Sequence, residues 1–197
     1  LHDIGNLINR VDHSQRGAMI AFRLLDHMGM DAEELATVVS AIGNHDEGTG
    51  VPVNPIAAAL IIADKSDVRR SRVRNRADIE NDIHDRVNYA VTGSTLKVDP
   101  AERKISLNLQ VDESICTMYE YFDIFLGRMM MCREAAQMLG AKFRLTVNGG
   151  KITIADLRQH AKYPIDNNST TGDAVLVING TDGVQAHTVT LWKLLER

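Results

Sequence analysis

His2 and Asp3 stand side by side in Leu1-His2-Asp3-Ile4-Gly5-Asn6. An adjacent imidazole and carboxylate make a poor core element but a good half of a metal site. The imidazole is a borderline nitrogen ligand, and the carboxylate is a hard oxygen ligand able to bridge two cations. Further along come His13, in Val11-Asp12-His13-Ser14; His45, in Asn44-His45-Asp46-Glu47; and Asp64, in Ala63-Asp64-Lys65. Asp64 interrupts an apolar run that begins at Pro55. A carboxylate in such a run is costly unless it is paired or coordinated. Lys65, Arg69, Arg72 and Arg76 follow at helical spacing, which puts them on one face starting beside Asp64. That face suits substrate phosphates, with Lys65 and Arg69 ahead of Arg72. Its ordinary alternative is a solvated face pairing with Asp78, Glu80 and Asp82.

Taken in this order, the residues give the chain a pattern that resembles the HD-domain superfamily of metal-dependent phosphohydrolases. The resemblance spans roughly the first 75 residues. It is nearest to the dinuclear branch, which includes diadenosine tetraphosphate hydrolases and, more loosely, the HD-GYP cyclic-dinucleotide phosphodiesterases. It implies two divalent transition-metal ions, iron, manganese or similar. Asp3 would bridge them, His2 and Asp64 would hold one, and His13 and His45 the other. The family places one more His upstream, and the present chain opens on the His-Asp pair with no initiator Met, so it reads as lacking an N-terminal segment. The implied reaction is hydrolysis of a phosphoester or phosphoanhydride bond of a nucleotide or related small molecule, with Asp3 and Lys65 as the catalytic pair. Asn6 stands where relatives carry Lys, which removes one expected phosphate contact. Asn44-His45 replaces the adjacent His pair of the HD-GYP branch, and Gly50-Val51-Pro52 only faintly echoes its tripeptide. Cyclic dinucleotides are therefore disfavoured. The rival expectation is a degenerate HD module that binds a nucleotide or partner for regulation without turnover.

Each residue also has an ordinary reading. Asp64 suits a buried salt bridge to Arg, His13 a helix cap or surface position, and His45 a charged C-terminal cap. Asp46 reads as a loop carboxylate slightly more readily than as a group orienting an imidazole. His27, His84, His160 and His187 read as surface or packing residues. Neither a Gly-x-Ser-x-Gly motif nor a phosphate-cradling glycine loop is present.

The elements that must position these groups are mainly helical. A helix end is predicted over residues 1–9. A second helix, capped by Asp12 or Ser14, runs to about Met28, with Ala18, Ala21, Phe22, Leu25 and Met28 on its apolar face. A third opens at Asp31, carries Leu35, Val38, Val39 and Ile42, and ends near Gly43-Asn44, which places His45 at its C-terminus. Asn54-Pro55 starts a fourth, expected to continue through the arginines. Residues 95–98 and 104–111 form a hairpin, and residues 113–139 a long helix whose Met and aromatic stripe reads as core. Short strands follow at 143–147, 151–154, 174–178 and 186–191, with a short helix near 157–163. The expected fold is thus mainly α, a helical HD bundle over 1–90 with a small β-containing C-terminal region over 91–197, α+β overall.

The 197 residues are 44% hydrophobic and 24% charged, enough for a buried core. A net charge of −4 disfavours nucleic acid as partner. The expected partner is a small phosphate-bearing molecule, and a homodimer is compatible with the sequence. Cys116 and Cys132 fall on one predicted helix and form no disulfide framework. With no apolar run long enough to span a bilayer, the expected location is the cytoplasm.

Overall fold

The computed structural model describes residues 1–73 and 83–152. The expected strands at 174–178 and 186–191 and the helix near 157–163 lie outside them, as do Arg76, Asp78, Glu80, Asp82, His160 and His187.

The chain opens on a single 3₁₀ turn, Ile4–Leu7, where the sequence predicts the end of an α-helix. Helix α1 covers His13–His27 and stops at Gly29, whose φ of 79° is the left-handed conformation that suits a residue without Cβ. Its buried stripe is narrower than expected. Ala18, Ala21 and Leu25 pack against Leu35 and Ile42 of α2, whereas Phe22 and Met28 stay exposed. Helix α2 covers Ala32–Gly43, and Asp31 accepts hydrogen bonds from the backbone of Glu33 and Glu34. Helix α3 covers Pro55–Lys65 behind the predicted cap, Asn54, which accepts from Ala57 N at 2.8 Å.

Helix α3 ends at Lys65, short of the arginines. Ser66 caps it, and the chain turns so that Val68 and Val73 become buried. The common face drawn through Lys65, Arg69 and Arg72 is therefore not formed. Burial of two valines outweighs the helical spacing of exposed cations, because apolar burial is worth more than a solvated charge pair.

Helix α4 covers Ile83–Ala90 and leads into strand β1, Val91–Asp99, which pairs antiparallel with β2, Lys104–Val111. This is the expected hairpin. Helix α5, Met118–Met138, then crosses back to β3, Lys142–Val147, which pairs parallel to β2. An Asn148-Gly149 turn returns the chain antiparallel as β4, Gly150–Ile152. Helix α5 begins five residues later than predicted. Asp112 accepts from both the backbone and the hydroxyl of Ser114, and Thr117 and Glu120 form a reciprocal capping box that sets the true start. Cys116 thus precedes the helix, and both thiols are free and buried.

The main core joins Ile61 and Ile62 of α3 and Val87 of α4 to Leu107 and Leu109 of β2 and Phe125 and Met129 of α5. The other side of α3 packs Ile56 and Leu60 against Ala41 of α2. Helix α3 is thereby fixed on two sides, and its last turn carries Asp64 and Lys65. The architecture is α+β. No helix among the described residues is long and apolar enough to cross a membrane.

Candidate metal centre

Glycines bring the first residues of the chain onto α1. A Cβ on Gly5 would collide with the carbonyl oxygen of His13 and the backbone nitrogen of Gly17, and one on Gly17 would press on the carbonyl of His2. The 3₁₀ turn therefore lies backbone to backbone against the first turns of α1, and this contact sets His2 and Asp3 beside His13. Gly50 acts similarly in the loop after α2, where a Cβ would strike the carbonyls of Asn44 and Asp46. The same loop is tied to α1 by Gln15 Nε2 donating to Thr49 Oγ1 at 2.9 Å.

Five of the sequence-predicted residues converge. His13 Nε2 lies 3.4 Å and His45 Nε2 3.8 Å from Asp3 Oδ1. His2 Nε2 lies 3.6 Å from Asp3 Oδ2 and 3.7 Å from Asp64 Oδ1. The His45 ring meets those of His2 and His13 edge to face, each at 5.1 Å. Among the described residues, two groups have donor atoms all within 4.8 Å of one another: His2, His45 and Asp64, and Asp3, His13 and His45. His45 belongs to both. Asp46 stands at the margin, 3.9 Å from His13 Nε2, nearer the site than a plain loop carboxylate would be.

Orientation decides what this cluster can hold. His13 Nδ1 donates to the carbonyl of Arg10 at 3.1 Å, and His45 Nδ1 to that of Ile42 at 2.6 Å. A carbonyl only accepts, so each Nδ1 carries a proton and each ring turns its Nε2 toward the carboxylates. Lone pairs facing carboxylate oxygens repel unless a proton or a cation lies between them. Both imidazoles are buried, His45 at 1% exposure. Fixing the outer ring nitrogen on a backbone carbonyl is also how metal-ligating imidazoles are held. The donor set of three imidazoles and two carboxylates therefore fits divalent transition metals.

The carboxylates are already poised as anions. The His45 ring edge 3.8 Å away, aided by the nearby His2 and opposed by burial, lowers the pKa of Asp3 to about 2. Burial pushes the Asp64 carboxyl up, but its hydrogen bond to His2 and the Lys65 ammonium 2.7 Å away outweigh this, and the net shift is downward.

Lys65 is buried at the edge of the cluster. Arg69 and Arg72 are not brought there; both pair with Asp67 at the surface. Arg70 stacks on Tyr89 and donates to its carbonyl. Two residues absent from the sequence reading complete the surroundings. Glu47, in the loop, lies 3.4 Å from Lys65 Nζ, and Arg128, from the middle of α5, lies 2.6 Å from Glu47. Arg128 is a cation within an otherwise apolar stretch of α5, the one signal that could have drawn attention to it.

No protein-family model matches the chain, and neither a curated protein nor a solved structure matches it.

Proposed function

We propose that this chain is a metal-dependent phosphohydrolase of the HD type, cleaving a phosphoester or phosphoanhydride bond of a nucleotide or a related small molecule. The observation that carries the reading is the inward focus of His2, Asp3, His13, His45 and Asp64, with two of the three imidazoles anchored on backbone carbonyls so that their Nε2 atoms face carboxylates. His2, Asp3 and Asp64 would hold one ion, and Asp3, His13 and His45 the other. When bound, such cations neutralise phosphoryl oxygens and acidify water, the two requirements of phosphate hydrolysis near neutral pH.

The chain's own residues supply the rest. Asp3 is ionised throughout the physiological range and is the most exposed of the five, 47% at its side chain, so it faces incoming substrate. Lys65 presents a buried ammonium beside Asp64 to an anionic oxygen. A weakly hydrated lysine binds such an oxygen more strongly than a solvated one.

Elemental analysis of the purified full chain, followed by a nucleotide panel with added manganese, tests this. The expected result is about two transition-metal ions per chain together with phosphate release. Asp3→Ala is expected to lose both while the helices persist by circular dichroism. Metal uptake and turnover that survive Asp3→Ala would refute the assignment. A chain that neither takes up metal nor releases phosphate would instead fit a regulatory module.

A further inference from the structure

Two cations from different elements meet at one carboxylate oxygen. Glu47 Oε1 lies 2.6 Å from Arg128 Nε and 3.4 Å from Lys65 Nζ. The Lys65 side chain is 4% exposed, that of Arg128 20%, and that of Glu47 33%. The guanidinium of Arg128 is laid over the Phe125 ring at 4.9 Å, which fixes its orientation. The other neighbour of the lysine is Asp64, which belongs to the metal-ligand cluster. With Asp64 committed there, Glu47 is, among the described residues, the carboxylate left to these two cations.

Buried or half-buried cations are retained where an anion satisfies them. Here that anion is the most exposed of the three groups and sits on a loop between α2 and α3, so it can swing out without moving a helix. Its donors are a planar guanidinium and a compact ammonium, the pair that suits phosphate oxygens as well as a carboxylate.

We infer that Lys65 and Arg128 form an anion subsite beside the metal centre, and that Glu47 fills it as an internal, displaceable occupant. The subsite takes a phosphate group other than the one being cleaved. The substrate class is therefore a compound with at least two phosphates, and not a simple phosphomonoester. The choice of phosphate as the anion rests on the phosphohydrolase reading.

Inorganic phosphate titrated calorimetrically into the purified full chain tests the subsite, with metal content read in the same samples. Glu47→Gln and Glu47→Ala remove the internal competitor and should each tighten phosphate binding at least about fivefold. The gain should vanish when Arg128→Gln is added to Glu47→Gln. Unchanged or weaker phosphate binding in both Glu47 variants overturns the subsite, as does a gain that survives Arg128→Gln. A chain without metal whose Glu47→Gln variant still shows the Arg128-dependent gain keeps the subsite and removes the phosphohydrolase reading.

Discussion

Among the five converging side chains, Asp3 turns its two oxygens to different imidazoles, Oδ1 to His13 and His45 and Oδ2 to His2, so removing it differs in kind from removing a histidine. Asp3→Ala is expected to lower metal content toward zero. His13→Ala removes a ligand of one group only, and is expected to leave about one ion per chain. Equal losses in the two variants, read by elemental analysis, would show that the donors do not divide as described. Asp3 allows a second test, in metal-free protein. Its carboxyl has an ordinary pKa of 3.8 and falls to about 2 in the fold, chiefly through the neighbouring His45. A depressed folded-state pKa gives stabilisation that is complete above 3.8 and lost as pH falls through about 2. The stability difference between wild type and Asp3→Ala should therefore shrink across that window in urea titrations and disappear below it; a difference independent of pH would count against an electrostatic contact of Asp3 with His45. These residues were legible in the sequence because each is a chemistry-bearing type in an ordered pattern. Glu47 and Arg128 were not, because their contact is created by the packing of α3 on α5 and leaves no trace in sequence spacing.

At the scale of elements, helix starts were easier to read than helix ends. Asn54-Pro55 and Asp31 act locally, through a side chain bonding to backbone two or three residues away, so sequence alone identifies them. The end of α3 is set by burial of Val68 in a core whose other walls come from later in the chain, with Val73 buried as well. Residues 1–9, read as the end of a helix, form only a 3₁₀ turn over Ile4–Leu7, for a related reason. Gly5 serves close backbone approach, and the turn it allows is held by α1 rather than by local propensity. Gly5→Ala should therefore push the 3₁₀ turn off α1 and separate His2 and Asp3 from His13. The expected outcome is loss of metal uptake with nearly unchanged helical circular dichroism. Full metal content in that variant would mean that the close approach does not position the site. At α5, Thr117→Ala breaks the capping box and should cost about 1 kcal/mol in urea unfolding, with metal content preserved because Thr117 lies outside the cluster.

The whole molecule ties its two sequence-defined regions together more closely than composition suggests. The α+β character and the β1–β2 hairpin were readable in advance. The route of the core was not, since apolar periodicity shows which face of a helix is buried and not what covers it. Helix α3 is covered on one side by α2 and on the other by α5 and the sheet. Cys132 lies on that second side, fully buried, and burial pushes its thiol pKa up to about 12. A fragment of residues 1–90 would keep every candidate metal ligand but would expose Ile61, Ile62, Val68 and Val87 to water. Fully burying an isoleucine is worth about 1.5–3 kcal/mol, so the two isoleucines alone approach the roughly 5–15 kcal/mol by which a domain is stable. The fragment is expected to show no cooperative thermal transition and no stoichiometric metal uptake. In the full chain, Cys132 should stay unreactive toward a thiol reagent at neutral pH until denaturant opens the α3–α5 contact, and then react together with Cys116. A fragment that melts cooperatively and takes up metal would show that the ligand cluster stands without α5. Arg128 would then have no structural reason to reach Glu47, and the site would have to be explained from the first helices alone.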